Sequence, residues 1–367
     1  MTQMMYRELP HDPSVKLSVI GMGAACWEDS RQTEEAMRAA LDAGVNFFDT
    51  VPSVAGGYEA ARRVLAPVRE QVYLQMHLGC DYRSGKYGWT RSLPAIKADF
   101  QRQLDVYGTD YTDFGFIHCI DEDSDFDQMM RGGLWDYAMG LKRAGVIRHL
   151  GCGTHNSAIA RRFVETGEMD LMMFSINPMY DWTSESEYGR GSASERAELY
   201  KLCEREGVAL SVMKCCAGGQ LLSAAQSPFG VALTPEQCIQ YALDKPAVVS
   251  VLPGAKNASE VRGWLHWLDA TAAERDYSVL GGLEPAETRG RCVYCSHCHP
   301  CPSGLDIAMI NKFYDLARIG DEQAAGHYDQ LDLHASDCNQ CGHCDNRCPF
   351  GVTQTARMQK ISAYFGY

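Results

Sequence analysis

The sequence predicts an α/β protein, a (β/α)8 barrel followed by a small, cysteine-rich helical domain. Between about residues 15 and 275, short apolar runs alternate with amphipathic stretches of helical period. After Leu280 the cysteine content rises and only helical patterns continue. We therefore expect a barrel domain over residues 1–278 and a second domain over residues 279–367.

Eight apolar runs have the length of barrel strands: 17–21, 45–49, 71–78, 113–119, 147–151, 171–176, 209–213 and 248–252. Helical patterns lie between them, most clearly at 32–43, 94–107, 128–144, 195–206 and 259–268. A doubly wound sheet is the main alternative, and it requires a glycine-rich loop after the first strand. The loop in question reads Gly21-Met22-Gly23-Ala24-Ala25 and lacks the third glycine of that fingerprint. We interpret it as a turn at the end of the strand.

The composition is that of an ordinary globular chain. Of the 367 residues, 46% are apolar and 22% are charged, and the net charge is −13. Because the chain is acidic, we expect neither nucleic acid nor an anionic membrane surface as a partner. No stretch approaches the roughly 20 apolar residues of a membrane helix, and the first residues form no apolar signal segment. Free thiols in this number suit a reducing compartment, so we expect a cytoplasmic protein.

Eight of the sixteen cysteines lie in two short runs near the C-terminus. The runs are Cys292-x2-Cys295-x2-Cys298-x2-Cys301-Pro302 and Cys338-x2-Cys341-x2-Cys344-x3-Cys348-Pro349. The second run has the spacing of bacterial two-cluster ferredoxins, and together the runs supply the eight thiolates that two [4Fe–4S] clusters need. Structural zinc and disulfides are the alternatives. Zinc sites usually separate two cysteine pairs by a longer gap, and disulfides suit small secreted domains.

The resemblance to two-cluster ferredoxins also implies two ligand sets, because there the fourth cysteine of each run binds the other cluster. One set is Cys292, Cys295, Cys298 and Cys348, and the other is Cys338, Cys341, Cys344 and Cys301. Helical patterns at 306–316, 321–331 and 356–365 occur without hairpin-like alternation. This pattern favours an α-helical ferredoxin-like domain.

Several phrases along the barrel resemble those of aldo-keto reductases. Residues 47–50 (Phe-Phe-Asp-Thr) are similar to the F-D-T-A phrase of the family's second strand, and residues 110–118 to its D-Y-I-D-L-x-L-I-H phrase. Residues 151–155, 212–221 and 251–255 resemble the fifth-strand phrase, the V-M-E-P-L-R-G-G-x-L phrase and the phosphate-loop phrase. With its cysteine-rich tail, the chain is identified as a member of the iron–sulfur branch, which implies a TIM barrel and an oxidoreductase.

Aldo-keto reductases use an Asp–Tyr–Lys–His tetrad, in which the Tyr protonates a carbonyl oxygen while nicotinamide hydride attacks its carbon. The resemblance places the Asp at Asp49 and the His at His118, but the Tyr position is Val54 and the Lys position is His77. His77 is expected to take over acid–base work with Asp49 beside it, because histidine titrates near pH ~6.5; a satisfied core histidine is the alternative. Tyr58 is a candidate replacement acid, with a packing role as the alternative.

The cofactor positions of the family are eroded as well. The Gln that holds the nicotinamide carboxamide falls near Met173 or Ser175, with Asn177 as the nearest match, and the fifth-strand Ser is Gly153. The phosphate loop keeps a turn and a cation, at Gly254, Lys256 and Asn257, that can bind phosphate. The alternative is an ordinary turn with a solvated Lys256. NAD(P)H therefore remains an open expectation, and so does flavin, for which the chain has no motif.

Six further cysteines lie at or just past the predicted C-terminal strand ends, where barrel enzymes keep their sites. They are Cys26, Cys80, Cys119, Cys152, Cys215 and Cys216. His77, His118 and His155 lie at the same end. Such groups bind metals or a third cluster, or supply a reactive thiol, whereas a buried cysteine commonly serves as a small hydrophobe.

Three functions follow from these observations. The first is an iron–sulfur oxidoreductase that acts on a small organic substrate at the barrel mouth and exchanges electrons through its clusters, including with a redox partner protein. The second is an NAD(P)H-dependent carbonyl reductase with structural clusters, against which Val54 and His77 argue. The third is a retired barrel, either an electron-transfer or scaffold subunit or a lyase that uses Asp49, His77 and His118 as acid and base.

Overall fold

The computed structural model describes residues 3–182, 188–282, 292, 298–318, 321, 323–348 and 351–367. Its strands are, in chain order, β1 (Tyr6–Leu9), β2 (Asp12–Ser18), β3 (Phe47–Asp49), β4 (Tyr73–Leu78), β5 (Cys80–Asp81), β6 (Gly88–Trp89), β7 (Thr112–Ile117), β8 (Ile147–Thr154), β9 (Leu171–Ser175), β10 (Ala209–Met213) and β11 (Val248–Val251). Seven of them form one parallel sheet in the order β11-β10-β9-β8-β7-β4-β3.

Residues 19–23 close this sheet into a barrel. Ile20 pairs with Val251 at one edge, and Met22 pairs with Phe48 at the other. The predicted first strand at 17–21 is therefore shifted, because residues up to Ser18 belong to the β1–β2 hairpin. Gly21 is required at the closure, since a Cβ there would lie 2.7 Å from the carbonyl oxygen of Phe47. The glycines of this loop thus serve strand closure.

The N-terminal hairpin covers the bottom of the barrel. Leu9, Val15 and Leu17 belong to the same buried cluster as the inward-facing Phe47 and Phe114. The sequence did not predict this hairpin or the short antiparallel β5–β6 pair. Apolar side chains of the hairpin fill the end of the barrel opposite the strand C-termini, which leaves the other end for the site.

The helices alternate with the strands as expected for the barrel. They are α1 (Arg31–Asp42), α2 (Gly57–Leu65), α3 (Leu93–Tyr107), α4 (Asp123–Arg131), α5 (Leu134–Arg143), α6 (Ser157–Glu165), α7 (Pro178–Trp182), α8 (Ala193–Glu206), α9 (Pro235–Leu243), α10 (Ala258–Leu265) and α11 (Ala272–Arg275). The predicted helix at 128–144 is two helices, because Gly132 and Gly133 separate them and Gly133 has a φ of 85°. Serine, asparagine and threonine side chains cap several N-termini, as at Ser192 before α8.

The C-terminal segment is helical and packs onto the barrel. Its helices are α12 (Ile307–Arg318), α13 (Ala324–Tyr328), α14 (His343–Arg347) and α15 (Gln354–Phe365). The predictions at 306–316 and 356–365 match α12 and α15, whereas 321–331 contains only the short α13. The main hydrophobic core is continuous from the barrel helices into this segment. Among the described residues, no helix is both long enough and apolar enough to cross a membrane.

Candidate active site at the barrel mouth

A cavity of about 300 Å³ opens at the C-terminal ends of the barrel strands. Polar and charged side chains reach it from five strand ends or the loops that follow them, and from the C-terminal segment. They include Asp49, His77, His118, His155, Lys214, Asp321, Gln323 and His327. The sequence placed the first four at this end. Their neighbours from residues 321–327 come from the region between the two cysteine runs.

A chain of hydrogen bonds links Asp49, His77, His118 and Tyr87. The Nε2 atom of His77 lies 2.7 Å from Oδ1 of Asp49, and its Nδ1 atom lies 2.9 Å from Nδ1 of His118. The Tyr87 hydroxyl lies 2.8 Å from Nε2 of His118. Gln75 donates a further hydrogen bond of 2.9 Å to Oδ1 of Asp49. All four members of the chain are at least nine-tenths buried.

The direction of this chain follows from its ends. The Asp49 carboxylate only accepts, so His77 donates from Nε2. With both imidazoles neutral, His118 donates to His77, and Tyr87 donates to His118. Burial, and next the neighbouring His77, lower the pKa of His118 well below its usual range, which favours the neutral ring. When His77 is also protonated at Nδ1, it donates to Nδ1 of His118, and Nε2 of His118 then donates to the Tyr87 hydroxyl. The chain can therefore move a proton between the cavity and Tyr87.

Tyr87 reaches this site through pairing of its segment with residues 53–54, where the family resemblance predicts the tyrosine position of the tetrad. Lys86 forms an antiparallel bridge with Val54, and the amide of Tyr87 donates to the carbonyl of Ser53 at 2.9 Å. The backbone of residues 86–87 therefore runs beside the position where the family's acid would stand. The phenol next to His118 comes from this second segment. No motif spacing connects Tyr87 with Val54, and sequence reasoning missed it.

Tyr58, the predicted replacement acid, is not brought into the cavity. It lies in α2, where its ring packs edge-on against Tyr82 at a centroid distance of 5.3 Å. The Arg102 guanidinium lies 4.3 Å from the centroid of the Tyr58 ring. Burial raises the pKa of the Tyr58 hydroxyl well above its usual range. These contacts are those of a packing residue, which was the alternative interpretation.

A second acid–base pair faces the same cavity. The Asp121 carboxylate accepts from Nδ1 of His155 at 2.9 Å and from Thr154 Oγ1 at 2.9 Å. The Cys119 sulfur lies 3.6 Å from Oδ2 of Asp121. Burial opposes ionisation of Asp121, but the charge of His155 and its hydrogen bonds outweigh it and hold the pKa of Asp121 below its usual range. His155 is thereby fixed with Nδ1 toward the carboxylate, as in histidine–aspartate pairs that serve as bases.

The segment over residues 321–328 covers the mouth through polar contacts with the barrel. Asp321 forms an ion pair of 3.2 Å with Lys214, which follows β10. Gln323 donates a hydrogen bond of 3.3 Å to the carbonyl of Val51. The ring of His327 lies 5.5 Å from the ring of Tyr87, measured between centroids. Burial and the nearby Lys214 lower the pKa of His327 to about 3, so this ring is neutral at physiological pH.

The expected nucleotide-binding residues are occupied by contacts within the chain. Asn177 donates to the carbonyl of Lys214 at 2.8 Å and accepts from the amide of Tyr180 at 2.9 Å. The N-terminus of α10 is capped by Asn257, whose Oδ1 accepts from two backbone amides at 3.0 Å. The Glu260 carboxylate accepts from the amide of Lys256 at 2.8 Å. Gly254, whose carbonyl accepts from Trp264, lines the cavity.

The cysteines of the barrel mouth divide into two groups. Cys26, Cys119, Cys215 and Cys216 line the cavity, whereas Cys80 and Cys152 are buried without lining it. Cys80 lies close to the imidazoles of His77 and His118, with ligand atoms of all three within 4.8 Å of one another. Cys119, Asp121 and His155 form a second group of this kind. These arrangements match the predicted cysteine-rich mouth and leave its metal content a prediction.

Seven of the eight cysteines in the C-terminal runs are described, and Cys295 lies outside the described residues. Cys298 and Cys344 are buried, and Cys341 is exposed. The amide of Val352 points to the sulfur of Cys348 at 3.4 Å. Amide contacts of this kind are the hydrogen bonds that tune iron–sulfur centres, so the chemistry of the donor set fits a cluster.

A parallel barrel with acid–base groups at the C-terminal strand ends is the architecture of a TIM-barrel enzyme. The family model described as Aldo/keto reductase family matches residues 19–234. This match spans more than half of the chain, which therefore belongs to the aldo/keto reductase family and is an oxidoreductase of that type. The membership confirms the predicted barrel and the family resemblance.

Individual relatives are distant. The chain is 22% identical over 268 residues to the uncharacterized oxidoreductase YqkF of Bacillus subtilis strain 168, covering 67% of this chain and 86% of that protein. The holo form of aldo-keto reductase AKR11C1 from Bacillus halodurans is similar in fold, with a TM-score of 0.61, 20% identity and coverage of 77% and 98%. An aldo/keto reductase from Klebsiella pneumoniae in complex with NADP and acetate gives a TM-score of 0.53, 14% identity and coverage of 76% and 94%.

Proposed function

We propose that this protein is an iron–sulfur oxidoreductase that transforms a small organic substrate in the cavity at the barrel mouth. Residues 1–278 form the substrate-binding barrel, and residues 279–367 form a ferredoxin-like domain with two [4Fe–4S] clusters. The ligands are Cys292, Cys295, Cys298 and Cys348 for one cluster, and Cys338, Cys341, Cys344 and Cys301 for the other.

The observation that carries the proposal is that the barrel and the C-terminal segment both contribute side chains to the cavity wall. Asp321, Gln323 and His327 line the same cavity as Asp49 and His118. In the chain, these three residues lie between Cys301 and Cys338, so the segment that joins the two cysteine runs also completes the site. A cluster domain that served only as a distant anchor would have no reason to contribute buried polar side chains to the cavity.

The loops around the second cysteine run support cluster binding by their backbone shape. Gln340, between Cys338 and Cys341, has a φ of 60°, and Gly342 has a φ of 72°. These left-handed residues turn the chain tightly between successive thiols. The side-chain amide of Gln340 also donates from Nε2 to the sulfur of Cys338 at 3.4 Å. When bound, the clusters would supply single electrons at low potential.

The residues of the barrel would handle the protons of such a reaction. The relay from Tyr87 through His118 and His77 to Asp49 can deliver or remove a proton at the wall of the cavity. His155, held by Asp121, offers a second acid–base group on the cavity wall. Lys214 is the cation of the wall, and its pairing with Asp321 limits its pull on an anionic substrate. The buried surroundings exclude water from these groups.

Iron content tests the cluster assignment. Protein purified without oxygen is expected to hold about eight iron atoms per chain, four for each cluster, with a paramagnetic resonance signal after reduction. Replacing Cys341 with serine removes a ligand of one cluster and is expected to reduce the iron by about half or more. The control Cys203→Ser, at a buried cysteine in α8, is expected to retain full iron. Stoichiometric zinc without iron, or oxidised cysteine pairs, would contradict the proposal.

A second candidate, an NAD(P)H-dependent carbonyl reductase, is favoured by the shape of the cavity. The cavity extends along Gly23, Gly218 and Gly254 to the loop where the family binds phosphate. The fit is poor there, because Glu260 places a carboxylate on the backbone amide that a phosphate would use. The carboxamide of Asn177 is likewise bonded to backbone groups. The clusters would be structural in this function.

Removing the Glu260 charge tests the second candidate. Glu260→Gln is expected to tighten NADPH binding about twofold to fivefold, the effect of about 0.3–1 kcal/mol for a charge at a helix N-terminus. Glu236→Gln, which removes the same charge at the start of α9, is the matched control and should leave binding unchanged. Calorimetric titration measures both. Absence of NADPH binding in every variant would contradict this candidate and favour the first.

A further inference from the structure

Two adjacent cysteines on the cavity wall have no part in the proton relay. Cys215 and Cys216 follow β10, and their sulfur atoms lie 3.8 Å apart. Both side chains line the cavity, although only 3% and 6% of their surfaces are exposed. Small molecules that enter the cavity can therefore reach both thiols.

The backbone around these cysteines is held in an uncommon conformation. Lys214 has a φ of 56° and Ala217 a φ of 52°, both in the left-handed region that non-glycine residues rarely adopt. Such residues are strained and cluster at functional sites. Lys214 is fixed at both ends, since its carbonyl accepts from Asn177 and its ammonium pairs with Asp321. The fold therefore maintains this shape at a cost in stability.

A third thiol, that of Cys238, contacts Cys216. Hydrogen bonds with the thiols of Cys215 and Cys238 raise the pKa of the Cys216 thiol well above its usual range. Cys238 lies in α9 and is fully buried. These contacts favour the protonated thiol of Cys216, and either thiol of the Cys215–Cys216 pair can donate to the other.

We propose that Cys215 and Cys216 form a reversible dithiol–disulfide couple that exchanges two electrons with a substrate in the cavity. On oxidation, two S–H bonds break, one S–S bond forms, and two protons and two electrons leave. This role rests on the proposed function, because the electrons pass to or from two one-electron acceptors, the two clusters. The couple resolves a mismatch in that function, since each cluster carries one electron and most organic substrates change by two.

The geometry is close to what the couple requires. A disulfide has a sulfur–sulfur distance of about 2.05 Å, so the two sulfurs must approach by about 1.8 Å. Gly218 and Gly219 follow directly, with φ values of 65° and 91°, and give the loop conformational freedom on that side. The Lys214–Asp321 ion pair joins the residue before Cys215 to the segment between the cysteine runs.

Thiol mapping tests the couple. The iron-loaded protein is equilibrated without oxygen in glutathione buffers of graded potential and then alkylated. Mass spectrometry follows the tryptic peptide 215–256, which holds Cys215, Cys216 and Cys238, since trypsin does not cleave between Lys245 and Pro246. The fraction that lacks two alkyl groups is expected to rise from below about one tenth to above about nine tenths as the buffer becomes more oxidising, with the link between Cys215 and Cys216. Three alkylated cysteines at every potential, or a link from Cys216 to Cys238, would overturn the proposal.

Two variants and the iron content sharpen this experiment. Cys238→Ser is expected to keep the couple, and Cys216→Ser to replace it with a glutathione adduct on Cys215. Loss of the couple in Cys238→Ser would overturn the vicinal assignment. Iron is measured in the same samples. A disulfide that forms in protein unable to bind iron would contradict the cluster proposal alone, whereas full clusters with permanently reduced thiols would contradict the dithiol couple alone.

Discussion

Replacing Asp49 with asparagine is expected to lower turnover about 10²–10⁴-fold, the usual contribution of a positioned acid–base system. The amide keeps the size of the side chain and removes the charge that anchors His77 at 2.7 Å. The measurement is reduction of a panel of aldehydes and ketones with reduced methyl viologen as the electron source. Iron content and the melting temperature of the variant show whether the proposed clusters and the fold are intact. Unchanged turnover in Asp49→Asn would contradict a catalytic role for the relay.

The two tyrosines distinguish the sequence-based hypothesis from the structure. Tyr87→Phe removes the hydroxyl that lies 2.8 Å from His118 and is expected to reduce turnover and shift its pH profile. Tyr58→Phe, in the packed α2 helix, is expected to leave both nearly unchanged. The opposite result would restore Tyr58 as the acid. Nitrogen NMR of the His118 ring gives a readout independent of substrate, because loss of the Tyr87 hydroxyl changes the partner of Nε2.

Replacing Asp181 with alanine is expected to lower the free energy of unfolding by about 3–5 kcal/mol, because it leaves the buried Arg196 guanidinium without its counter-ion. Arg196 is fully buried and donates from Nε to Asp181 at 2.8 Å. The hydroxyls of Tyr200 and Tyr241 donate to the same carboxylate at 2.6 and 2.8 Å. Chemical denaturation followed by circular dichroism measures the loss.

A surface ion pair provides the contrast. Arg131 and Asp127 lie 3.0 Å apart on α4, with side chains that are 80% and 43% exposed. Arg131→Ala is expected to change stability by less than about 1 kcal/mol, because water screens exposed pairs. Similar losses in Asp181→Ala and Arg131→Ala would show that the buried network around Asp181 is not the source of stability inferred for it.

The barrel could be predicted because its signal is local and repeated. Each strand is a short apolar run followed by a helix, and an error at one element leaves the others intact. The first strand shows where local reasoning ends. Residues 17–18 read as strand, but they pair with β1 in a hairpin, and the barrel is closed by single bridges at Ile20 and Met22. Which partner a strand takes depends on the closed barrel, which no short window of sequence records.

About half of the candidate site could be predicted. Asp49, His77 and His118 were singled out by the resemblance to aldo-keto reductases, and the rule that strand ends meet at one face of a barrel brings them together. Tyr87, Asp121 and the covering segment depend on contacts between distant parts of the chain. Asp321, for example, pairs with Lys214, 107 residues away in the sequence. No sequence signal pointed to Tyr87, because the bridge between Val54 and Lys86 is visible only in the structure.

The path of the chain around the mouth has a consequence for protein engineering. Asp321, Gln323 and His327 complete the cavity, although they lie beyond residue 278, the domain boundary predicted from the sequence. In a barrel truncated there, the cavity would lose its cover, and Lys214 and Tyr87 would be exposed to solvent. Exchanging the cysteine-rich module between homologous chains would therefore exchange part of the specificity pocket. Modules of this protein should be recombined as a pair, with barrel and cover taken from the same parent.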